Sequence, residues 1–63
     1  MTETYYEVWY SKKDVPDLKF PFSVERYKTI EKAQLDSTYL NEMPIYKDKL
    51  FYVAKVTANI KFV

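Results

Sequence analysis

The nine carboxylates of this 63-residue chain are its main candidates for chemistry near neutral pH. Histidine is absent, which removes the usual general base and the commonest neutral metal ligand. Cysteine is absent too, so there is no thiolate nucleophile and no disulfide. Asp14 and Asp17 are close enough in sequence to touch one cation. The Val15-Pro16-Asp17 stretch reads better as a turn, with proline at its second position. Ser11, Ser23 and Ser37 have no histidine to activate them. A carboxylate pair can do acid–base work, but nothing in the spacing brings two together. Glycine is also missing, and loops that cradle phosphate need backbone that approaches the ligand closely. The chain is therefore expected to be no enzyme, with no catalytic residue, cofactor or metal.

What the chain has in quantity is aromatic surface: seven Tyr, four Phe and Trp9. A domain of this size buries only about 60% of its unfolded surface. Without disulfides or a metal it must rely on dense packing or on a second chain. The net charge of +1, with signs mixed along the chain, gives little steering toward nucleic acid. The longest apolar run, Leu50 to Ala54, is far short of the roughly 20 residues that cross a bilayer. The start Met-Thr-Glu-Thr resembles no signal peptide, so a cytoplasmic protein with no membrane partner is expected.

The elements follow from hydrophobic period. Thr4 to Ser11 alternates and is rich in β-formers on both faces, which predicts a central strand. Ser11 to Pro21 reads as a loop, since tight two-residue hairpins prefer Gly or Asn. Phe22 to Lys28 reads as a polar edge strand. Thr29 is the expected N-cap of a helix running to about Glu42 and stopped by Pro44. Every even position from Leu50 to Phe62 is apolar, which predicts a long third strand.

The fold class expected is α+β: one small β-β-α-β domain over residues 1–63. Its sheet is three-stranded and mainly antiparallel, in order 2-1-3, with one helix on one face. Tyr6, Val8, Tyr10, Leu50, Tyr52, Ala54 and Val56 are expected to meet Ile30, Ala33 and Leu40, with Phe22 and Val24 completing the core. Such a core leaves Tyr5, Trp9, Phe51 and Val53 on the outer sheet face. Leu35, Tyr39 and Met43 remain on the helix. Ile60 and Phe62 remain on a third strand longer than its partners, unless the chain turns back after Ala58. Leu18 and Phe20 could instead fold over the outer face.

A contiguous exposed apolar surface marks an interaction site, and Tyr and Trp are enriched where binding energy concentrates. Those nine residues are thus candidates for partner binding. The expectation is a non-enzymatic protein-binding module that inhibits or modulates a larger protein. A homodimer through the C-terminal strand is one mode of association. Single-stranded nucleic-acid binding, with sheet-face aromatics beside Lys49 and Lys55, is the disfavoured alternative. A Met-initiated chain of this length with no ligand motif is of the kind encoded by phages and mobile elements. That association points to a host protein as the target.

Overall fold

The computed structural model describes residues 1–62. Its elements run β1 (Thr2–Lys12), β2 (Val15–Pro21), α1 (Ile30–Glu42), a 3-10 turn (Pro44–Tyr46) and β3 (Lys49–Asn59). The sheet order is β2-β1-β3, with β1 antiparallel to both neighbours and the helix packed on one face. The α+β class and the 2-1-3 order stand as the sequence predicts.

The second strand lies elsewhere. Val15–Pro21, expected to be a loop, is β2, whereas Phe22 to Lys28 is irregular apart from one bridge between Tyr6 and Tyr27. The hairpin into β2 turns through Lys13-Asp14, between the paired residues Lys12 and Val15. It does so with no residue at positive φ among those described. Without the primed turn that matches strand twist, the ladder slips at once. Lys12 faces Val15 but Ser11 faces Lys19, so Pro16 to Leu18 bow out of register. That slack replaces glycine.

The third strand pairs along its whole length. β1 begins at Thr2 rather than Thr4 and supplies a partner for every residue of β3, from Lys49 opposite Lys12 to Asn59 opposite Thr2. One further bond, Ile60 N–H to the Met1 carbonyl at 2.7 Å, continues the ladder. The chain therefore does not turn back after Ala58, and no supply of partner strand is lacking there.

Register also sets which residues meet the helix. Directly opposed residues share a face, so Val8 with Val53 and Tyr10 with Phe51 lie together. Phe51 and Val53, expected outside, belong to the core. Leu50, Tyr52, Ala54 and Val56, expected inside, lie on the outer face with Tyr5, Glu7 and Trp9. The buried core is Val8, Tyr27, Ala33 and Phe51, flanked by Tyr6, Tyr10, Phe22, Leu40, Tyr46 and Val53. Phe22, Tyr46 and Phe51 pack edge to face, with centroids 4.9–5.6 Å apart, and Tyr10 meets Phe22 edge-on at 6.0 Å. Val24 is almost fully exposed and Ile30 sits at the periphery, so neither completes the core.

Ala33 and Ser37 are the buried stripe of α1, their small side chains letting the helix lie close to the sheet. Leu35 and Tyr39 lie outside this stripe, 70% and 62% exposed. Thr29 holds the extended N-cap geometry, but its side chain makes no capping bond. The helix ends at Met43, which is extended as a residue before proline must be.

Tyr27 ties the irregular segment to both layers. Its backbone exchanges two 2.8 Å bonds with Tyr6, and its phenol donates to Asp36 at 2.7 Å and to Glu25 at 3.2 Å. Burial first, and then the two carboxylates, push the phenol well above the usual tyrosine range. The folded state thus holds this proton more tightly than the unfolded chain does. Its contribution to stability is whole below about pH 10 and declines as pH rises above it. Tyr27→Phe should cost about 1.5 kcal/mol at neutral pH, the usual scale for a bond to a charged acceptor. It should also flatten the alkaline decline. Urea midpoints for both proteins between about pH 8 and 11 check this; curves that stay parallel contradict it.

Candidate functional site

Two surfaces stand out once the core is assigned, and both are made by β3. The first is the outer sheet face. Tyr5, Glu7 and Trp9 of β1 stand beside Val56, Ala54 and Tyr52 of β3, and all six are half-buried. No helix covers them among the described residues; α1 occupies the opposite face. The alternative covering by Leu18 and Phe20 does not occur, since both are exposed on β2. Two cations from the flanks lie on the aromatic rings instead. The Arg26 guanidinium is 4.6 Å from the Tyr5 ring centroid and the Lys19 ammonium 5.1 Å from that of Tyr52. The Trp9 indole donates to Glu7 at 3.1 Å, and the hydroxyls of Ser11 and Tyr52 are within bonding distance at 3.1 Å. The face sets Trp9, Ala54 and Val56 around the Glu7 carboxylate, with the cations Lys19 and Arg26 at its flanks.

The second surface is the free edge of β3. Tyr6 and Val8 bond toward Tyr27 and Phe22, so even residues of β1 direct their backbone away from β3 and odd residues toward it. The register then turns the backbone of Leu50, Tyr52, Ala54, Val56 and Ala58 inward to β1. Phe51, Val53, Lys55, Thr57 and Asn59 present theirs to the edge. At Phe51 that edge is closed from the helix. The Asn41 carboxamide accepts the Phe51 N–H at 2.9 Å and donates to its carbonyl at 3.3 Å. Nothing similar is made to Val53, Lys55 or Thr57 among the described residues. The edge of β2 differs, because Pro16 and Pro21 lie in that strand and Lys19 and Asp17 add charge.

The nine residues singled out by sequence are therefore not one site. Tyr5 and Trp9 are on the outer face, and Leu35 and Tyr39 are on the solvent side of α1 across the molecule. Met43 is half-buried at the helix end. Phe51 and Val53 are core. Ile60 is half-buried at the end of the ladder, and Phe62 is 82% exposed. Sequence reasoning missed Tyr52, Ala54 and Val56 as surface residues, and the edge cap made by Asn41. The first three were marked by the even alternation but assigned to the wrong face. Nothing local marked Asn41.

No group of three or more potential metal ligands exists among the described residues. No helix there is long and apolar enough to cross a membrane. The cap itself is testable. Asn41→Ala should destabilise the fold by about 1–2 kcal/mol, by leaving a half-buried backbone donor and acceptor unpaired. It should also speed hydrogen exchange at the Phe51 amide specifically; unchanged exchange there would mean the cap is not formed in solution. No family model, curated protein or solved structure matches the chain.

Proposed function

We propose that this chain is a non-enzymatic protein-binding module, a small inhibitor or modulator that docks on a larger host protein through its outer sheet face. The observation that carries the reading is the half-exposed cluster of Tyr5, Trp9, Tyr52, Ala54 and Val56, which no helix covers among the described residues. A sheet face of this kind accepts a helix or a second sheet packed about 10 Å away. Tryptophan and tyrosine set around Glu7, whose carboxylate the Trp9 indole already holds, and flanked by Lys19 and Arg26, have the residue types of a binding patch. The rings are anchored before binding, because cross-strand pairing and the two cation contacts fix them. Less side-chain freedom is then lost on docking.

Nucleic-acid binding fits less well. Stacking bases would have to displace Lys19 from Tyr52 and Arg26 from Tyr5, and would meet Glu7 in the centre of the face. The net charge of +1 adds little phosphate attraction.

Affinity capture from host lysate with mass spectrometry tests the reading. Trp9→Ala and Tyr52→Ala should each reduce recovery of the specific partner at least tenfold, the scale of one lost hot-spot residue. Circular dichroism should stay near wild type, and Leu35→Ala on the far side should capture normally. Equal recovery by all three would remove the outer face as the site. Salt-sensitive binding to fluorescent oligonucleotides, abolished by Trp9→Ala, would replace a protein partner with a nucleic acid.

A further inference from the structure

We infer that the open edge of β3 is a dimerisation edge, and that a second copy of this chain pairs with it antiparallel about a two-fold axis at Val56. The edge is bounded at both ends. Asn41 occupies the backbone of Phe51, and the strand ends at Asn59. The residues left open are Val53 to Asn59, and the middle of that stretch is Val56. Two identical strands related by a two-fold axis must run antiparallel, and their overlap is largest when the axis passes through the midpoint. With the axis there, Val53 faces Asn59 of the copy and Lys55 faces Thr57, the four residues whose backbone groups point outward. On the other face Val56 meets Val56 and Ala54 meets Ala58. No two like charges then stand directly opposite: Lys55 meets Thr57, Val53 meets Asn59, and the pairs on the other face are apolar.

Neighbouring registers are worse. An axis at Lys55 sets two lysines directly opposite each other and brings Asn59 against the capped Phe51. An axis at Thr57 sets Val53 against Lys61.

A second observation points to the same stretch. β2 pairs only with the Trp9 to Lys12 end of β1, and the last bridge on that side is at Tyr6. Beyond it, Thr2 to Tyr5 and Val56 to Asn59 form an arm of two strands. This arm contributes to a molecule 45 Å long and 23 Å wide. A two-stranded ribbon is marginal alone in water. The proposed pairing gives it a third strand along Val56 to Asn59. It also keeps clear of the helices, since each α1 reaches the β3 edge at Phe51 rather than over the arm. The occupant is a second copy rather than an unrelated strand because the open stretch is complementary to itself. This inference concerns the strand edge and stands or falls separately from docking on the outer face.

The chain has no cysteine, so Val56→Cys places a single thiol on the proposed axis. Opposed residues that are not hydrogen-bonded to each other have Cα atoms about 4.5 Å apart, within disulfide range. Under mild oxidation this variant should form linked dimers at least tenfold faster than Leu35→Cys on the exposed helix face. Sedimentation of the wild type over a concentration series should approach twice the 7.6 kDa chain mass. Thr57→Glu should tighten the dimer about threefold to tenfold by facing Lys55 of the copy, and Thr57→Lys should loosen it by a similar factor. Weakening by both would move the axis to Thr57 and overturn the register. A wild type that stays monomeric, with equal crosslinking rates for the two cysteine variants, would overturn the dimer.

Discussion

The pairing of β1 with β3 is the constraint on which the rest of the molecule depends. It joins the two ends of the chain, Met1 bonding to Ile60 and Thr2 facing Asn59. Loop closure over that distance costs entropy that a single contact cannot offset, so the ladder forms as one cooperative unit or not at all. Because side chains alternate, its register decides the face of every residue in both strands. Shifting it by one residue would turn Leu50, Tyr52, Ala54 and Val56 toward the helix and turn Phe51 away from Phe22 and Tyr46. α1 then has one place to go. It starts beside Tyr27, which is bonded to Tyr6, and ends where Asn41 reaches the edge at Phe51. The helix therefore crosses the sheet diagonally, leaving the β1–β3 arm uncovered.

With neither glycine nor cysteine, the chain solves its local problems by other means. The hairpin turn uses ordinary backbone angles and sheds the mismatch into the bowed stretch Pro16 to Leu18. Prolines are tolerated there because the strand is an edge. The core is small in volume but made of rings. Phe22, Tyr46 and Phe51 meet edge to face around Val8, and Lys49 lies near the rings of Tyr10 and Tyr46 at about 6 Å. Ala33 and Ser37 bring the helix near enough for this thin layer to exclude water. Tyr27 then locks the irregular segment between sheet and helix through Asp36.

Element types, sheet order and the end of the helix were legible because they follow from local signals: alternation, the proline after Met43, and small residues at helical spacing. The phase of β3 was not. Both faces of Leu50 to Ala54 are apolar, so period two says that a strand exists without saying which face is inner. Phe51 is inside because Tyr10 opposes it and Asn41 holds its backbone, and both contacts are non-local. β2 was misplaced for a related reason. Phe22 to Lys28 alternates as a strand should, but Tyr27 alone makes its bridge and Val24 points to solvent. Val15–Pro21, with two prolines and two charges, carries almost no strand propensity and is held by its hairpin neighbour. Of the candidate site, Tyr5 and Trp9 were readable from β1, whose two faces are unequal only by Glu7. Their partners on β3 followed once register was known.

The same ladder connects the two proposals. A two-fold axis perpendicular to the sheet keeps both outer faces on one side and both helices on the other. Pairing at Val56 would therefore join the two outer faces edge to edge, with Val56 and Ala54 of each copy at the seam. The patch around Trp9 would become one of two related patches on a single six-stranded surface. A target that fits one patch weakly gains from a second held at fixed distance, since the second contact is intramolecular. Edge and face are then not rival uses of β3. Its backbone would serve one and its even side chains the other, a division that follows from the alternation of a strand flanked on only one side.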